Sequence, residues 1–321
     1  MTPKEFNESV KHGKFKRVYL LYGEERYLVN YYAQVLADAI GEPDNFDVGA
    51  SAASIIMAAE NLPFLTDMRL VRVRDSKLFA SGRKSESEAM TAYLPQVPDT
   101  TVLVFTESDV DRRGRLYKKV AELGGVVDCE TPSPQALTTW LSRIFRDKNK
   151  SIDPTAANLL SRYAAHNMTT LTQEAEKLAA YVGQRQQVTT RDIEAICSPT
   201  LQTRVFDMIA AMANGRAAGA LDMYHNMLLM KEQPLMILAM IIRQFRILLM
   251  VKAASDKHMP KAQMAKTLGL RSFVVDEALS QSQRFSIEKL FKALTDCQDI
   301  DIKVKTGLIN AEIGVGLLIL R

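Results

Sequence analysis

Val18-Tyr19-Leu20-Leu21-Tyr22-Gly23-Glu24-Glu25-Arg26-Tyr27-Leu28-Val29-Asn30 is the stretch whose reading decides the fold. A short apolar run reaches a glycine and passes straight into a helical pattern, which is the strand–turn–helix form of a nucleotide site. A phosphate-binding loop would need a second glycine, a lysine and a hydroxyl residue at fixed offsets from Gly23. Those places hold Leu28, Val29 and Asn30. The dinucleotide fingerprint fails as well, because Glu25 and Leu28 occupy its second and third glycine positions. The preferred reading is a structural turn, a nucleotide site that has kept its frame and lost its phosphate ligands.

Working outward, four further segments read as strands: RLVRVRD (69–75), TVLVFTE (101–107), GGVVDCE (124–130) and a weaker NFDVG (45–49). Helical patterns lie between them in YLVNYYAQVLADAI, ASIIMAAENL, SESEAMTAYL and RGRLYKKVAELG. Strand–helix alternation with nearly continuous apolar strands predicts a parallel sheet covered on both faces. SGRKSESE (81–88) is small and polar and reads as a mobile loop. At the end of RLVRVRD, where an NTPase of this layout carries an acidic pair for magnesium and water, Asp75 is followed by Ser76 and Lys77. A lone carboxylate there is a turn residue more often than a metal ligand.

After Thr131-Pro132-Ser133-Pro134, a plausible hinge, no convincing strand appears. Asp153-Pro154 is a helix start, MTTLTQEAEKLAAYVG is a helix ending at Gly183, and Thr189 with Asp192 forms a capping-box-like start for TRDIEAI. Beyond Ser198-Pro199-Thr200 the chain reads as helical throughout. Pro234 opens the strongest helix, with Leu235, Leu238, Ile241, Ile242, Phe245, Leu248 and Leu249 on helical spacing. Phe285 and Leu290 flank Ser286 as a hydrophobic staple, Gly307 ends that helix, and NAEIGVGLLIL forms a final short one. The expected division is 1–134, an α/β domain; 135–203, a small helical domain; and 204–321, a larger helical domain.

Composition excludes several classes. The chain has 321 residues, 47% of them hydrophobic, 24% charged and a net charge of +4, ordinary values for a soluble globular protein. That balance permits nucleic-acid contact without the dense basic face of a dedicated binder. Cys129, Cys197 and Cys297 are far apart and form no CxxC pair, which argues against zinc or a disulfide framework and for a reducing cytoplasm. The charged N-terminus is not a secretory signal. The apolar run PLMILAMII is too short to span a bilayer before Arg243, Gln244 and Arg246 interrupt it. His12, His166, His225 and His258 have no metal-ligand spacing, and no GxSxG elbow occurs. No metal or cofactor is expected.

Two surface features remain. Asn61-Leu62-Pro63-Phe64-Leu65-Thr66-Asp67 joins an apolar helix to a strand, where polar residues are the rule. Its Phe-Leu pair either folds back into the core or projects as an anchor for a partner pocket. Arg112, Arg113, Arg115, Lys118 and Lys119 form the densest basic cluster, at a helix start that could take phosphates, although solvated surface charge is the commoner explanation.

Taken together, VYLLYGEERYLV, LPFLTDMRLVRV, EAEKLAAYVG, VTTRDIEAI, FDMIAAMANGRAAGALDMYHNMLLMKEQPLMILAMIIRQFRILL and LGLRSFVVDEALSQSQRFSIEKLFKAL followed by KTG resemble, in order, the delta subunit of the bacterial DNA polymerase III clamp loader. The resemblance implies an AAA+-like architecture: a RecA-type α/β domain, a helical lid and a helical C-terminal collar. It implies a subunit without intrinsic catalysis that has lost nucleotide binding and belongs to the polymerase holoenzyme. Its partners would be the sliding clamp (beta), the ATP-binding gamma/tau subunits, the delta-prime subunit and primed DNA, with no membrane. The family's clamp-inserting hydrophobic pair falls at Phe64 and Leu65, with Leu62 able to share the role. Arg243 and Arg246 fall on the collar as neighbour contacts, and the 112–119 cluster falls near the clamp rim or DNA. The alternatives are a divergent AAA+ ATPase acting on DNA and an autonomous DNA-binding protein.

Overall fold

The computed structural model describes residues 1–63 and 66–320. Its contacts divide the chain into two compact units, Met1–Thr131 and Pro132–Arg321.

The first unit runs α1 (Pro3–Lys11), β1 (Val18–Tyr22), α2 (Arg26–Ile40), β2 (Asp44–Phe46), α3 (Ala52–Glu60), β3 (Arg69–Arg74), α4 (Lys84–Tyr93), β4 (Thr101–Glu107), α5 (Arg115–Glu122) and β5 (Val126–Asp128). All five strands are parallel, in the order β2-β3-β4-β1-β5, so the first strand lies inside the sheet between β4 and β5. Every residue of β1 and β4 is buried, because helices cover both faces. The pleat sorts the side chains. Val18, Leu20, Val73 and Phe105 pack with Ile55, Met90 and Leu116 on one face. Tyr19, Leu21, Val102 and Val104 pack with Phe6, Val29, Tyr32 and Leu36 on the other.

Segment 81–88 departs from the expected mobile loop, because α4 begins at Lys84. Arg83 holds its start, donating to the carbonyls of Ser76 at 2.7 Å and Ala50 at 2.9 Å and pairing with Glu86. Glu86 in turn accepts from Ala52 N–H at 2.9 Å at the start of α3. Polarity here serves to tie two helix starts together.

The second unit comprises α6 (Pro134–Asp147), β6 (Ser151–Ile152), α7 (Pro154–Tyr163), α8 (Met168–Tyr181), β7 (Gln187–Val188), α9 (Thr190–Ile196), α10 (Leu201–Ala213), α11 (Ala217–Leu229), α12 (Pro234–Asp256), α13 (Lys261–Leu268), α14 (Ser272–Ser282), α15 (Ile287–Lys305) and α16 (Ala311–Ile319). The strand-free expectation is corrected by β6 and β7, which pair in parallel over two residues each, too short to show a sequence period. Asp153 caps α7 by accepting from Ala156 N–H at 2.9 Å. Asp192 accepts from the Thr189 N–H at 2.9 Å and from its hydroxyl at 2.8 Å, and Arg185 closes on the same carboxylate.

The helix opened by Pro234 runs for 23 residues and is long and apolar enough to cross a membrane by length and composition, which corrects the expectation that it is too short. It is nevertheless a packed helix of this unit. Ile237, Ile241, Leu248 and Val251 are fully buried in a cluster with Met208, Tyr224, Leu290 and Val315. Phe285 and Leu290 join the same cluster on either side of the cap Ser286, as a staple requires.

Candidate functional site: the degenerate nucleotide turn and its surroundings

In an open parallel sheet, ligands bind where the strands end at their carboxyl edge. In this sheet that edge is occupied by the chain's own groups. Gly23 has φ +141°, and a Cβ placed on it would stand 2.4 Å from the carbonyl oxygen of Cys129 and 2.6 Å from its carbonyl carbon. The end of β5 leans directly on the turn. Cys129 N–H donates to Tyr22 O at 2.7 Å, and Glu25 N–H donates to Cys129 O at 3.1 Å. The neighbouring backbone by itself therefore requires glycine here.

The first turn of α2 has its own anion. Glu25, only 5% exposed, is the N-cap residue, and its carboxylate accepts from Tyr27 N–H at 3.2 Å. A carboxylate at this point takes up the partial positive charge of the helix start, where a phosphate would sit in a working loop. Leu28 packs against the α2 side of the core, and Val29 is completely buried within it. Asn30 is exposed, and its Oδ1 accepts from Arg72 at 3.4 Å.

Asp75, at φ +45° just beyond β3, accepts from Ser108 N–H at 2.9 Å and pairs with Arg26 at 3.6 Å. Glu107, at the end of β4, is 1% exposed and accepts from Ser76 N–H at 2.9 Å and from the Ser76 hydroxyl. Burial pushes the Glu107 carboxyl above its usual range, while those hydrogen bonds pull it back. Tyr22 OH donates to Asp128 at 2.9 Å, and burial drives its phenol upward, reinforced by Tyr117 and Asp128. Sequence reasoning found Gly23 and Asp75 but missed Glu25, Glu107 and the Cys129 carbonyl. A glutamate ending a seven-residue apolar strand was a visible signal for Glu107; nothing in the sequence brings residue 129 to residue 23. Among the described residues, no group of three or more His, Cys, Asp and Glu is arranged to hold a metal ion.

The basic cluster is partly spent on internal pairing. Arg112 lies 2.6 Å from Asp128 and stacks over Tyr22 at 5.2 Å; Arg113 pairs with Asp111 at 3.2 Å and Lys119 with Glu122 at 2.9 Å. Arg115 and Lys118 are exposed and form no ion pair among the described residues. In the other unit, Arg243 and Arg246 are exposed on α12. Phe64 and Leu65 lie outside the described residues. Earlier in the sequence, Leu62 is 78% exposed, and Met57 of α3 is 67% exposed.

A parallel sheet covered by helices on both faces, followed by a largely helical second unit, is an AAA+-like fold of α/β plus all-α class. The family models place it further: the model of the DNA polymerase III delta subunit matches residues 19–130, and the model of that family's C-terminal domain matches residues 202–321. The chain belongs to the DNA polymerase III delta subunit family. It is 24% identical to DNA polymerase III subunit delta of Bacillus subtilis over 98% of this chain and 95% of that protein. It is 20% identical to a probable subunit delta of Aquifex aeolicus over 89% of this chain and 85% of that protein. A solved DNA clamp loader delta protein of B. subtilis shares its fold with a TM-score of 0.81 at 24% identity, covering 99% of this chain and 98% of that one.

Proposed function

We propose that this chain is the clamp-gripping subunit of a bacterial, cytoplasmic clamp loader, and that it binds the sliding clamp and holds its ring open without binding ATP itself. The observation that carries this reading is the carboxyl edge of the sheet: β5 backbone presses on Gly23, Glu25 supplies the anion at α2, and Val29 is buried where a phosphate lysine would stand. A protein so built contributes binding energy in place of hydrolysis.

The grip is Phe64 with Leu65, and the exposed Leu62 shares it. A ring with closed and sprung states responds to such a ligand only through its differential affinity for the two. The ATP used by the assembly then belongs to gamma/tau partners, met with delta-prime through the 204–321 region, where Arg246 is an exposed contact candidate. Residues 1–134 act as the clamp-contacting body and 135–203 as the lid. Arg115 and Lys118, free of ion pairs among the described residues, are the members of the basic cluster best placed to meet clamp rim or primed DNA.

Two measurements test the reading. Equilibrium dialysis with labelled ATP is expected to show no occupancy at the sheet edge; stoichiometric binding abolished by filling the turn at Gly23 would overturn the proposal. A pull-down with the host's sliding clamp is expected to retain the clamp, and failure to do so with the folded chain would remove the function.

A further inference from the structure

The second unit contains a cleft that the clamp-loading reading does not use. It has a volume of about 440 Å³ and is lined by Arg243 of α12 and Arg271 ahead of α14, together with Gln202, Thr170 and Phe273. No carboxylate lines it. Neither arginine has a salt bridge or side-chain hydrogen bond among the described residues, whereas Arg162, which lines the adjoining cavity, pairs with Asp207 at 3.0 Å. Glu277 lines a small adjoining cavity of about 50 Å³ that Arg243 also lines, and there its carboxylate faces His166 Nε2 at 3.3 Å.

Two unpaired guanidinium groups line one cleft, and guanidinium geometry matches phosphate oxygens in pairs. The backbone adds to the same field. Phe273 and Val274, in the first turn of the 11-residue α14, line the cleft, and that helix start has no side-chain cap. Asn167 and Thr200, the caps of α8 and α10, line it too. Those two caps accept the first-turn N–H groups of Thr170 and Thr203, so the uncapped start of α14 and the two arginines are what present positive potential to this polar cleft. The loop that forms one wall holds Ala165 at φ +48° and His166 at φ +57°, two successive left-handed residues kept in place by His166 Nδ1 against Ser161 Oγ at 2.8 Å.

We propose that this cleft is a binding site for a phosphate anion of diphosphate size, held by Arg243 and Arg271. Arg243 then serves a ligand inside its own chain, in contrast to its exposed neighbour Arg246, which does not line the cleft. Either a free small molecule or the phosphorylated end of a nucleic-acid strand can present that chemistry.

The test is calorimetric titration of the full chain with inorganic pyrophosphate at low salt. Saturable binding is expected, weakened by ~10-fold or more in Arg243→Gln and in Arg271→Gln, with Arg246→Gln close to the parent. Far-ultraviolet circular dichroism and a thermal melt establish that each variant is folded, and Arg243→Lys, which keeps charge and loses the fork, is expected to fall between parent and Gln variant. Absence of binding at about 1 mM pyrophosphate would overturn the site. An equal loss in Arg246→Gln would overturn it as well, reducing the effect to general surface charge. Displacement of pyrophosphate by a 5′-phosphorylated single strand, and not by its 5′-hydroxyl counterpart, assigns the strand end as the source; indifference to both assigns the free anion. Because the site lies far in sequence from Gly23, ATP binding that vanishes in Arg271→Gln but persists in a Gly23 variant belongs to this cleft; it would remove the clause that the chain binds no ATP, while the clamp-binding part of the reading stands or falls by the pull-down.

Discussion

Gly23→Ala puts the account of the opening turn at risk. The new methyl would overlap the Cys129 carbonyl at 2.4 Å, and the obstacle is backbone, so no side-chain rotation relieves it. Two costs combine. A residue with a side chain at φ +141° carries a conformational cost of ~1–3 kcal/mol. Moving the end of β5 away then breaks the Cys129-to-Tyr22 and Glu25-to-Cys129 hydrogen bonds, each with a net value of ~0.5–1.5 kcal/mol. The expected loss is about 4 kcal/mol. Gly41→Ala is the internal control: its φ is +130°, but nothing lies within 4 Å of its added Cβ. It should lose only the backbone share, ~1–3 kcal/mol. The assay is urea unfolding followed by far-ultraviolet circular dichroism, with amide hydrogen exchange read on peptides covering 18–28 and 126–130. Faster exchange in both peptides is expected for Gly23→Ala and in neither for Gly41→Ala. Equal destabilisation by the two substitutions, or unchanged exchange at 126–130, would refute the claim that β5 is what requires the glycine.

Phe64→Ala with Leu65→Ala is expected to weaken clamp binding by ~2–4 kcal/mol in surface plasmon resonance with no fall in melting temperature; unchanged affinity removes the assignment. Arg185 first, and then Thr189, hold the Asp192 carboxyl down at about 2, against a usual 3.8. Its contribution is therefore present above pH ~4 and lost as pH falls toward 2, so Asp192→Asn should destabilise by about 1 kcal/mol at neutral pH and progressively less on acidification; a pH-independent difference contradicts this. Burial pushes the thiols of Cys129, Cys197 and Cys297 up to about 12. Native protein at pH ~8 should react with a disulfide reagent orders of magnitude more slowly than unfolded chain, and rapid labelling of any one of them would show that its surroundings open.

Much of the fold was legible because it rests on local chemistry. Continuous apolar strands with glycine or acidic ends marked β1, β3 and β4, and Asp153-Pro154, Ser286 and Pro234 declared their helices through capping and proline geometry. What was not legible depends on partners distant in the chain. The polar stretch 81–88 reads as a loop until Ser76 and Ala50 supply acceptors for Arg83. The cleft beside Arg243 joins residues from 164 to 274, and no periodicity links them. The empty lysine position at Val29 was visible in one dimension, whereas the reason Gly23 remains, a carbonyl 106 positions away, required the fold.

The contact between β5 and the turn also limits how this lineage can change. Writing glycine, lysine and serine back at 28–30 would put an ammonium at Val29, inside an apolar cluster with Phe6, Tyr32 and Leu36. An unpaired charge there costs several kcal/mol before any nucleotide arrives. The Cys129 carbonyl would still crowd the glycine, and Glu25 would still repel the incoming phosphate at the helix start. Three separate regions would have to change together, with the intermediates less stable than the starting point. On the proposed reading that the chain binds no ATP, the present packing thus acts as a ratchet, making a gain of nucleotide binding far harder than its loss.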